Sequence, residues 1–170
     1  MRKATRKVRR VTPQLRVGQG LDFHRLKRGR KCIIGGVVIP HRKGLDGHSD
    51  ADVLLHALVD AILGATGGAD IGDLFPNTER VNKNKDSTQF VSAVWKPLYK
   101  GGWRVVNVDC SILAEEPKLR PYVGAMKGVI AALLHSSPDR VGIKATTSEK
   151  MGAIGRGEGV MASVVVLLSR

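Results

Sequence analysis

The chain has 170 residues, 42% of them hydrophobic, and no apolar run in it is long enough to cross a bilayer. This length favours one domain with its own core, and the 4% content of aromatic residues argues against recognition of nucleic-acid bases by stacking. The formal net charge is +13, and much of it is concentrated at the amino terminus.

The first 16 residues carry seven basic side chains and no acidic one. No apolar segment follows them, so they do not have the pattern of a secretory signal. We expect residues 1–14 to form a basic, disordered arm that makes weak contacts with nucleic acid, and residues 15–170 to form a single α+β domain. Cys32 and Cys110 lie in apolar runs, which indicates buried free thiols and a cytoplasmic location.

The first predicted element is a strand over residues 14–24 that Gly18 and Gly20 interrupt. Two glycines in a strand indicate the close approach of backbone, ligand or a neighbouring subunit. Residues 32–39 predict a β-hairpin with a two-residue glycine turn, and the polar stretch 41–47 predicts a loop.

The stretch from Asp46 to His56 is predicted to pass from this loop into a helix. Ser49 is expected to be its N-cap and to form a capping box with Asp52. Apolar residues then recur at helical spacing until about Gly64. The helix dipole alone is sufficient to explain carboxylates in such a first turn.

Further along the chain, residues 67–78 predict an irregular acidic segment. Ser87 is expected to cap a helix that runs toward Lys100 and is kinked or shortened at Pro97. A strand over residues 105–113 and a helix over residues 121–135 follow, and then strands over residues 141–147 and 160–168. The order predicts an α+β sandwich, with a mixed four-stranded sheet, helices on one of its faces, and a small added β-hairpin.

A metal site is suggested by two histidines and a carboxylate. Asp22 and His24 are two residues apart on a strand, so their side chains point to the same face. Together with His56 they form the kind of three-residue set that holds catalytic zinc and leaves one position open. Asp60 or Asp52 is then a candidate to orient the imidazole, although a solvated role for Asp60 is equally consistent with the sequence.

Two other stretches have residue types suited to a nucleotide. The segment from Lys144 to Gly159 combines hydroxyls, basic side chains and backbone amides freed by glycines, which suit phosphate binding. Glu149 within it implies a hard cation, since a bare carboxylate would repel a phosphate. The turn from Ala114 to Pro121 can contact a base through its backbone. A glycine-rich hairpin and a simple connection are the alternatives for these two stretches.

A family resemblance covers nearly all of the chain after the basic arm. It is carried by Gly20-Leu21-Asp22-Phe23-His24, Gly47-His48-Ser49-Asp50-Ala51-Asp52-Val53, Leu74-Phe75-Pro76, Lys144-Ala145-Thr146-Thr147 and Gly155-Arg156-Gly157-Glu158-Gly159. With these motifs the chain resembles the 2-C-methyl-D-erythritol 2,4-cyclodiphosphate synthases of the non-mevalonate isoprenoid pathway. The resemblance implies a lyase that cyclises a cytidine diphosphate substrate and releases CMP.

The resemblance also implies the roles of individual residues. Asp22, His24 and His56 would hold Zn²⁺, and Glu149 would hold a Mg²⁺ or Mn²⁺ that bridges the substrate diphosphate. His48 and Thr147 would act in catalysis by steadying the phosphates. The substrate-binding residues implied are Asp22, Phe23, His24, His48, Ser49, Asp70, Ile71, Gly72, Phe75, Pro76, Asn77, Thr78, Glu79, Ala114, Glu115, Glu116, Pro117, Lys118, Leu119, Arg120, Thr146, Thr147, Ser148, Glu149, Ala153 and Arg156.

The family assembles as a homotrimer with active sites between subunits, so the resemblance implies the same here. Three features depart from its pattern. Ala153 stands where an aromatic residue often lines a three-fold cavity for an isoprenoid diphosphate, Gln19 stands where a histidine is common, and the basic arm is usually lacking.

Two competing functions are distinguishable by experiment. A zinc-dependent phosphoesterase would consume water and release inorganic phosphate, whereas the cyclase releases CMP. A basic nucleic-acid-binding protein would show binding that falls steeply with salt.

Overall fold

The computed structural model describes residues 13–170, so the predicted basic arm, apart from Pro13 and Gln14, lies outside the described residues. The strands are β1 (Leu15–Arg28), β2 (Cys32–Ile34), β3 (Val37–Ile39), β4 (Lys43–Asp46), β5 (Arg104–Leu113), β6 (Val141–Thr146) and β7 (Gly159–Ser169). The α-helices are α1 (Val53–Thr66), α2 (Ile71–Leu74), α3 (Ser87–Lys100), α4 (Val123–Leu133) and α5 (Gly152–Gly155).

Five strands form one mixed sheet in the order β4-β1-β7-β5-β6, and β2 and β3 form a separate hairpin. Only the β5–β6 pair in this sheet is parallel. The predicted α+β class, with a mixed sheet, helices and a small hairpin, is therefore confirmed. The sheet has one strand more than expected because Lys43–Asp46, predicted as part of a loop, pairs with the end of β1 at Arg25–Arg28.

Helix α1 lies unusually close to β1, and the two strand glycines make this approach possible. A Cβ atom on Gly18 would lie 2.0 Å from the Ala61 carbonyl oxygen, and one on Gly20 would lie 1.9 Å from that of Ala57. Both distances are far below van der Waals contact, so a side chain at either position would push the helix away. The two glycines were expected to approach backbone, a ligand or a neighbouring subunit, and the structure places the backbone of α1 against them.

The start of α1 differs from the prediction. Its N-cap is Asp52, whose carboxylate accepts hydrogen bonds from the amides of Leu54 and Leu55, so the prediction of Ser49 as N-cap is wrong. The same fully buried carboxylate accepts hydrogen bonds from Gly35 (2.8 Å) and Gly36 (2.6 Å) in the hairpin turn. This tertiary contact selects Asp52 over Ser49, because it satisfies the helix end and the turn with one side chain.

The remaining helices follow the predicted positions with small shifts. Helix α3 continues past Pro97 to Lys100 and is capped by Asp86 rather than by Ser87. A short 3₁₀ turn over Arg120–Tyr122 precedes α4, and the irregular acidic segment contains α2, capped by Asp70. Within residues 13–170, no helix has the length and apolar character needed to span a membrane.

Candidate functional site

Asp22, His24 and His56 meet at one point between β1 and α1. The Asp22 Oδ2 atom lies 3.0 Å from His24 Nε2 and 3.1 Å from His56 Nδ1, and these two nitrogens are themselves 3.1 Å apart. All three residues are half-buried, and their ligand atoms lie within 4.8 Å of one another. The convergence predicted from the i, i+2 spacing on the strand is therefore confirmed.

The hydrogen bonds around His24 show which of its nitrogens faces this point with a lone pair. Its Nδ1 lies 2.8 Å from the carbonyl oxygen of Asp46, which can only accept, so Nδ1 donates and Nε2 is left for the cluster. Burial lowers the pKa of His24, but the hydrogen bond and charge of Asp22 outweigh burial and raise this pKa above its usual value. Three electron-rich atoms this close favour a cation between them, and their chemistry fits a divalent metal.

Asp22 behaves as the anionic member of the cluster. Burial raises the pKa of its carboxyl, but the polar contacts with His24 and His56 and the charges of these two residues hold this pKa well below its ordinary range. The group is therefore ionised at any physiological pH, which a carboxylate ligand requires.

The second nitrogen of His56 is oriented by serine hydroxyls rather than by a carboxylate. Nε2 lies 2.9 Å from Ser87 Oγ and 3.2 Å from Ser49 Oγ. The predicted partners lie elsewhere: Asp60 accepts a hydrogen bond from the Ile71 amide, and Asp52 binds the hairpin turn. The prediction that Asp60 or Asp52 orients this ring is wrong, because each carboxylate is already used to fix backbone amides.

A cavity of about 190 Å³ opens over the cluster. Its lining includes six of the predicted substrate contacts beyond the cluster and three residues that were not predicted as site residues, Gly47, Asn82 and Phe90. The complete lining is Asp22, His24, Gly47, His48, Ser49, His56, Ile71, Gly72, Phe75, Asn77, Asn82 and Phe90.

His48 and the segment after α2 enclose the mouth of this cavity. The Nε2 atom of His48 lies 3.3 Å from the carbonyl oxygen of Glu79, and the buried Asn82 side chain donates to the carbonyl oxygen of Pro76. Asp70 caps α2 and so fixes the position of Ile71 and Gly72. Four predicted contacts, Phe23, Asp70, Pro76 and Thr78, are adjacent in sequence to lining residues but are not part of the lining itself, and Glu79 lies two residues from Asn77.

The two predicted nucleotide stretches also meet, at the end of the edge strand β6. The Ala114 amide donates to the Thr146 carbonyl oxygen (3.0 Å), which joins the Ala114–Arg120 loop to the end of β6. Glu115 Oε1 accepts hydrogen bonds from the amides of Ser148 (3.1 Å) and Lys150 (3.2 Å). These hydrogen bonds lower the pKa of the Glu115 carboxyl, and the one from the Lys150 amide has the largest effect.

Thr147 and Glu149 point out of this second cluster. The Thr147 hydroxyl donates to Glu149 Oε1 (2.8 Å), and Glu149 has a positive φ of 53°. A positive φ is unusual for a residue with a side chain, and here it belongs to a tight turn that presents a carboxylate to solvent. Lys118 and Arg120 are exposed on the neighbouring loop.

Within residues 13–170 of one chain, the two clusters line separate cavities. Phe23 pairs with Met161, Met161 with Leu113, and Leu113 with Thr146, so the two clusters lie in one row across the sheet. Three strand spacings separate the ends of this row, which is roughly 14 Å. His48 and Thr147, the two predicted catalytic residues, therefore belong to different clusters.

Ala153 and Arg156 lie in further depressions on the surface. Ala153 lines a cavity with Phe23 and Val160, and Arg156 lines another with His41 and Glu116. The Arg156 Nε atom donates to Glu158 Oε1 at 2.6 Å. The structure places neither of these two residues in the cavity over the metal-competent cluster.

These features describe a class of protein, namely an α+β domain with a two-histidine, one-carboxylate cluster that could hold a metal. A separate loop cluster carries exposed Lys118 and Arg120. Comparison with known proteins identifies the family within this class. Residues 15–169 match the YgbB family model, and the chain belongs to that family.

Curated relatives and solved structures agree with this membership. A 2-C-methyl-D-erythritol 2,4-cyclodiphosphate synthase from Geobacillus kaustophilus is 54% identical over 155 residues, which are 91% of this chain and 98% of that protein. The bifunctional IspDF from Campylobacter jejuni superimposes with a TM-score of 0.88 at 39% identity; the match covers 93% of this chain and 43% of that one. IspF from Plasmodium falciparum, in complex with CDP, has a TM-score of 0.79 at 32% identity and is covered over 95% of its length, with 91% of this chain matched.

Proposed function

We propose that this chain converts 4-diphosphocytidyl-2-C-methyl-D-erythritol 2-phosphate to 2-C-methyl-D-erythritol 2,4-cyclodiphosphate and releases CMP, as a lyase of isoprenoid precursor biosynthesis. The observation that carries the proposal is the convergence of Asp22, His24 and His56 beneath a cavity in a chain of this family. The relative with 54% identity, matched over nearly its whole length, supports the same reaction.

Two cations are part of the proposal. Asp22, His24 and His56 would hold Zn²⁺, and Glu149 would hold Mg²⁺ or Mn²⁺ at the substrate diphosphate. When bound, such cations neutralise phosphate oxygens and make the β-phosphorus more electrophilic. The ionised state of Asp22 and the free Nε2 of His24 support the first assignment. The exposure of the Glu149 carboxylate beside the Thr147 hydroxyl supports the second.

The protein side chains would mainly position the substrate. The 2-phosphate oxygen attacks the β-phosphorus, and the phosphoanhydride bond to CMP breaks, so no water is consumed. We assign His48 and Thr147 to the phosphates and Ser49 to the methylerythritol part or its phosphate. No general base is needed, because the attacking phosphate is already ionised, and the reaction depends on bringing its two ends together.

The remaining substrate contacts follow from the second cluster and the cavity mouth. The loop Ala114–Arg120, with Thr146 and Thr147, is proposed to hold cytidine. Asp70 to Gly72 are proposed to contact the sugar part, and the residues from Phe75, which lies in the cavity wall, to Glu79 are proposed as further substrate contacts. Exposed Lys118 and Arg120 are available to neutralise the nucleotide phosphates.

A homotrimer would complete the site from two subunits. The separation of roughly 14 Å between the two clusters in one chain supports a site closed by a neighbour. The sheet face of β1 away from α1 supports it independently, since Leu15, Val17, Leu21 and Phe23 are between 47% and 67% exposed there. An apolar stripe of this kind is typical of a surface that another subunit covers.

The proposed location is the cytoplasm, where thiols remain reduced. Cys32 and Cys110 are both free and buried. Burial raises the pKa of Cys32 to about 11 and that of Cys110 to about 12, so both remain unreactive thiols.

Product analysis tests the reaction directly. The full chain is incubated with the cytidylyl substrate, Zn²⁺ and Mg²⁺, and the products are resolved by ³¹P NMR and chromatography. We expect CMP and a cyclic diphosphate in equal amounts, with no inorganic phosphate. Release of inorganic phosphate would instead identify a phosphoesterase, and the proposal would be wrong.

A further inference from the structure

A buried hydroxyl connects the carboxylate of Asp50 to the metal-site histidine. Ser87, the first residue of α3, has no exposed surface, and its Oγ atom hydrogen-bonds both Asp50 Oδ1 and His56 Nε2. These three residues come from the loop before α1, the start of α3, and α1 itself. The contact with His56 is 2.9 Å long, within the range of a good hydrogen bond.

The direction of each hydrogen bond follows from the chemistry of Asp50. Its carboxylate accepts from the amide of Ser87 at 3.1 Å and from that of Asp52 at 3.3 Å, which fixes its orientation. An ionised carboxylate can only accept, so the Ser87 hydroxyl donates its single hydrogen to Asp50. Ser87 Oγ then presents only lone pairs to His56, and Nε2 of His56 must donate.

We propose that Asp50 and Ser87 are positioning residues that hold His56 with its proton on Nε2 and its Nδ1 lone pair directed at the metal. This inference rests on the metal site of the proposed function. It gives Nε2 of His56 a connection to a carboxylate through a serine hydroxyl, in place of a carboxylate that contacts this nitrogen directly. Neither residue touches the substrate or the metal in this arrangement, and both act through the imidazole of His56.

The arrangement also fits the role assigned to Ser49. Ser49 Oγ lies 3.2 Å from His56 Nε2 and accepts a hydrogen bond from the Ala51 amide at 3.0 Å. With the Nε2 proton directed mainly to the nearer Ser87, the hydroxyl hydrogen of Ser49 remains available to the cavity that Ser49 lines. Ser87 thus separates the positioning of His56 from the binding of substrate by Ser49.

Zinc affinity of the full-length protein tests the proposal. We would measure it by competition with a chromophoric chelator for wild type, Ser87→Ala and Asp50→Asn. Both variants should bind zinc about 10- to 100-fold more weakly, as expected when a partner of a ligating histidine is removed. The control is Asp86→Ala, which removes the N-cap of the same helix without any contact to His56 and should change the affinity less than about twofold.

The ring nitrogens of His56 give a second readout that a general loss of stability does not imitate. In zinc-loaded, ¹⁵N-labelled wild type, we expect Nδ1 to carry the shift of a metal-bound nitrogen and Nε2 to carry a slowly exchanging proton. In the two variants that proton should exchange much faster. Zinc binding of both variants within twofold of wild type, or a His56 bound through Nε2, would overturn the proposal.

The outcome also separates this inference from the function on which it rests. If wild type binds no zinc, the proposed metal site fails and the inference fails with it. If wild type binds zinc and releases CMP while the variants bind zinc equally well, the inference alone is wrong. If either variant fails to fold, the ¹⁵N signals of His56 in zinc-loaded wild type test the inference, because they show which ring nitrogen binds the metal and which carries the proton.

Discussion

At the scale of single residues, the sequence predicts which side chains converge in the metal-competent cluster, but not which groups orient His56. Asp22 and His24 are fixed by strand geometry, so their convergence follows from the spacing alone. The roles of Ser87 and Asp50 could not be predicted in this way. Ser87 lies 31 positions from His56 in the sequence, and no local pattern indicates that the two residues are in contact. Tertiary contacts, rather than local pattern, decide which groups orient a ligand.

Replacing His56 should remove the metal without removing the fold. We expect His56→Ala to lose at least about 100-fold in zinc affinity and to lose activity with it, since one of three protein ligands is gone. Metal analysis of the purified protein and its circular dichroism spectrum measure the two effects. The control is Asp60→Asn, one turn further along α1, which should keep its zinc because its carboxylate contacts the Ile71 amide. Full zinc occupancy in His56→Ala would contradict the assignment.

Replacing Glu149 should affect only the second cation. We expect Glu149→Gln to retain zinc but to need at least about tenfold more Mg²⁺ or Mn²⁺ for half-maximal activity, because a neutral amide binds a hard cation weakly. A titration of activity against each cation measures this. Glu158→Gln, which alters an exposed carboxylate paired with Arg156, should leave the titration unchanged. The same midpoint in Glu149→Gln and wild type would exclude the role.

At the scale of elements, close packing and one buried carboxylate set the frame of the site. The hairpin and the glycine pair of β1 were predictable, since two-residue glycine turns and strand glycines have local signatures. Strand β4 was not, because a four-residue segment containing Lys43 and Asp46 has no apolar alternation and pairs only when β1 is present. The cap of α1 was misassigned for a similar reason: Asp52 is chosen by its contact with the hairpin turn.

Because α1 lies so close to β1, we expect one added methyl group on β1 to lower the free energy of unfolding strongly. Gly20→Ala should destabilise the protein by about 3 kcal/mol or more, because the new Cβ would overlap the backbone of Ala57. Urea unfolding measures the change. The matched substitution is Gly128→Ala in α4, where a Cβ would meet nothing within 4 Å, and we expect it to stabilise by up to about 1 kcal/mol. Equal stabilities for the two variants would show that the close approach is wrong.

The buried carboxylate of Asp52 predicts a dependence of stability on pH. Burial raises its pKa from 3.8 to about 6, more than the hydrogen bonds from Gly36, Leu55 and Gly35 lower it. The folded state therefore keeps a proton that the unfolded state has lost. The stabilising contribution is complete below the unfolded pKa of 3.8 and disappears as the pH rises through about 6.

Comparison with Asp52→Asn isolates this contribution from that of other groups. The variant should lose about 1–3 kcal/mol, because its amide nitrogen cannot accept the backbone hydrogen bonds. Its stability deficit should be larger at about pH 4.5 than at about pH 7.5, since only wild type gains from protonation. Urea unfolding at both values measures the deficit, and a deficit that grows toward high pH would contradict the predicted sign.

At the scale of the whole molecule, the two clusters are complementary but separate. The cluster around Asp22, His24 and His56 offers ligands that could hold a metal beneath a cavity. The cluster around Glu115 and Glu149 offers carboxylates in a hydrogen-bonded loop. The sheet between them holds them roughly 14 Å apart in one chain. The proposed trimer would bring both clusters to one substrate, and we expect the exposed stripe on β1 to form part of its interface. The assembly was predictable only from the family resemblance, since no local pattern specifies a subunit boundary.

We propose that each active site combines the metal cluster of one subunit with the nucleotide cluster of another, and subunit exchange between inactive variants distinguishes this arrangement from a site within one subunit. His56→Ala and Lys118→Glu are each expected to be inactive, and each damages a different cluster. In randomly exchanged trimers of equal parts, about a quarter of the interfaces pair two intact clusters, so about a quarter of wild-type activity should return. A mixture of His56→Ala with Asp22→Ala, both damaged in the metal cluster, should remain inactive. Recovery in the first mixture alone is the predicted result, and a fully exchanged first mixture that stays inactive would contradict a site shared between subunits.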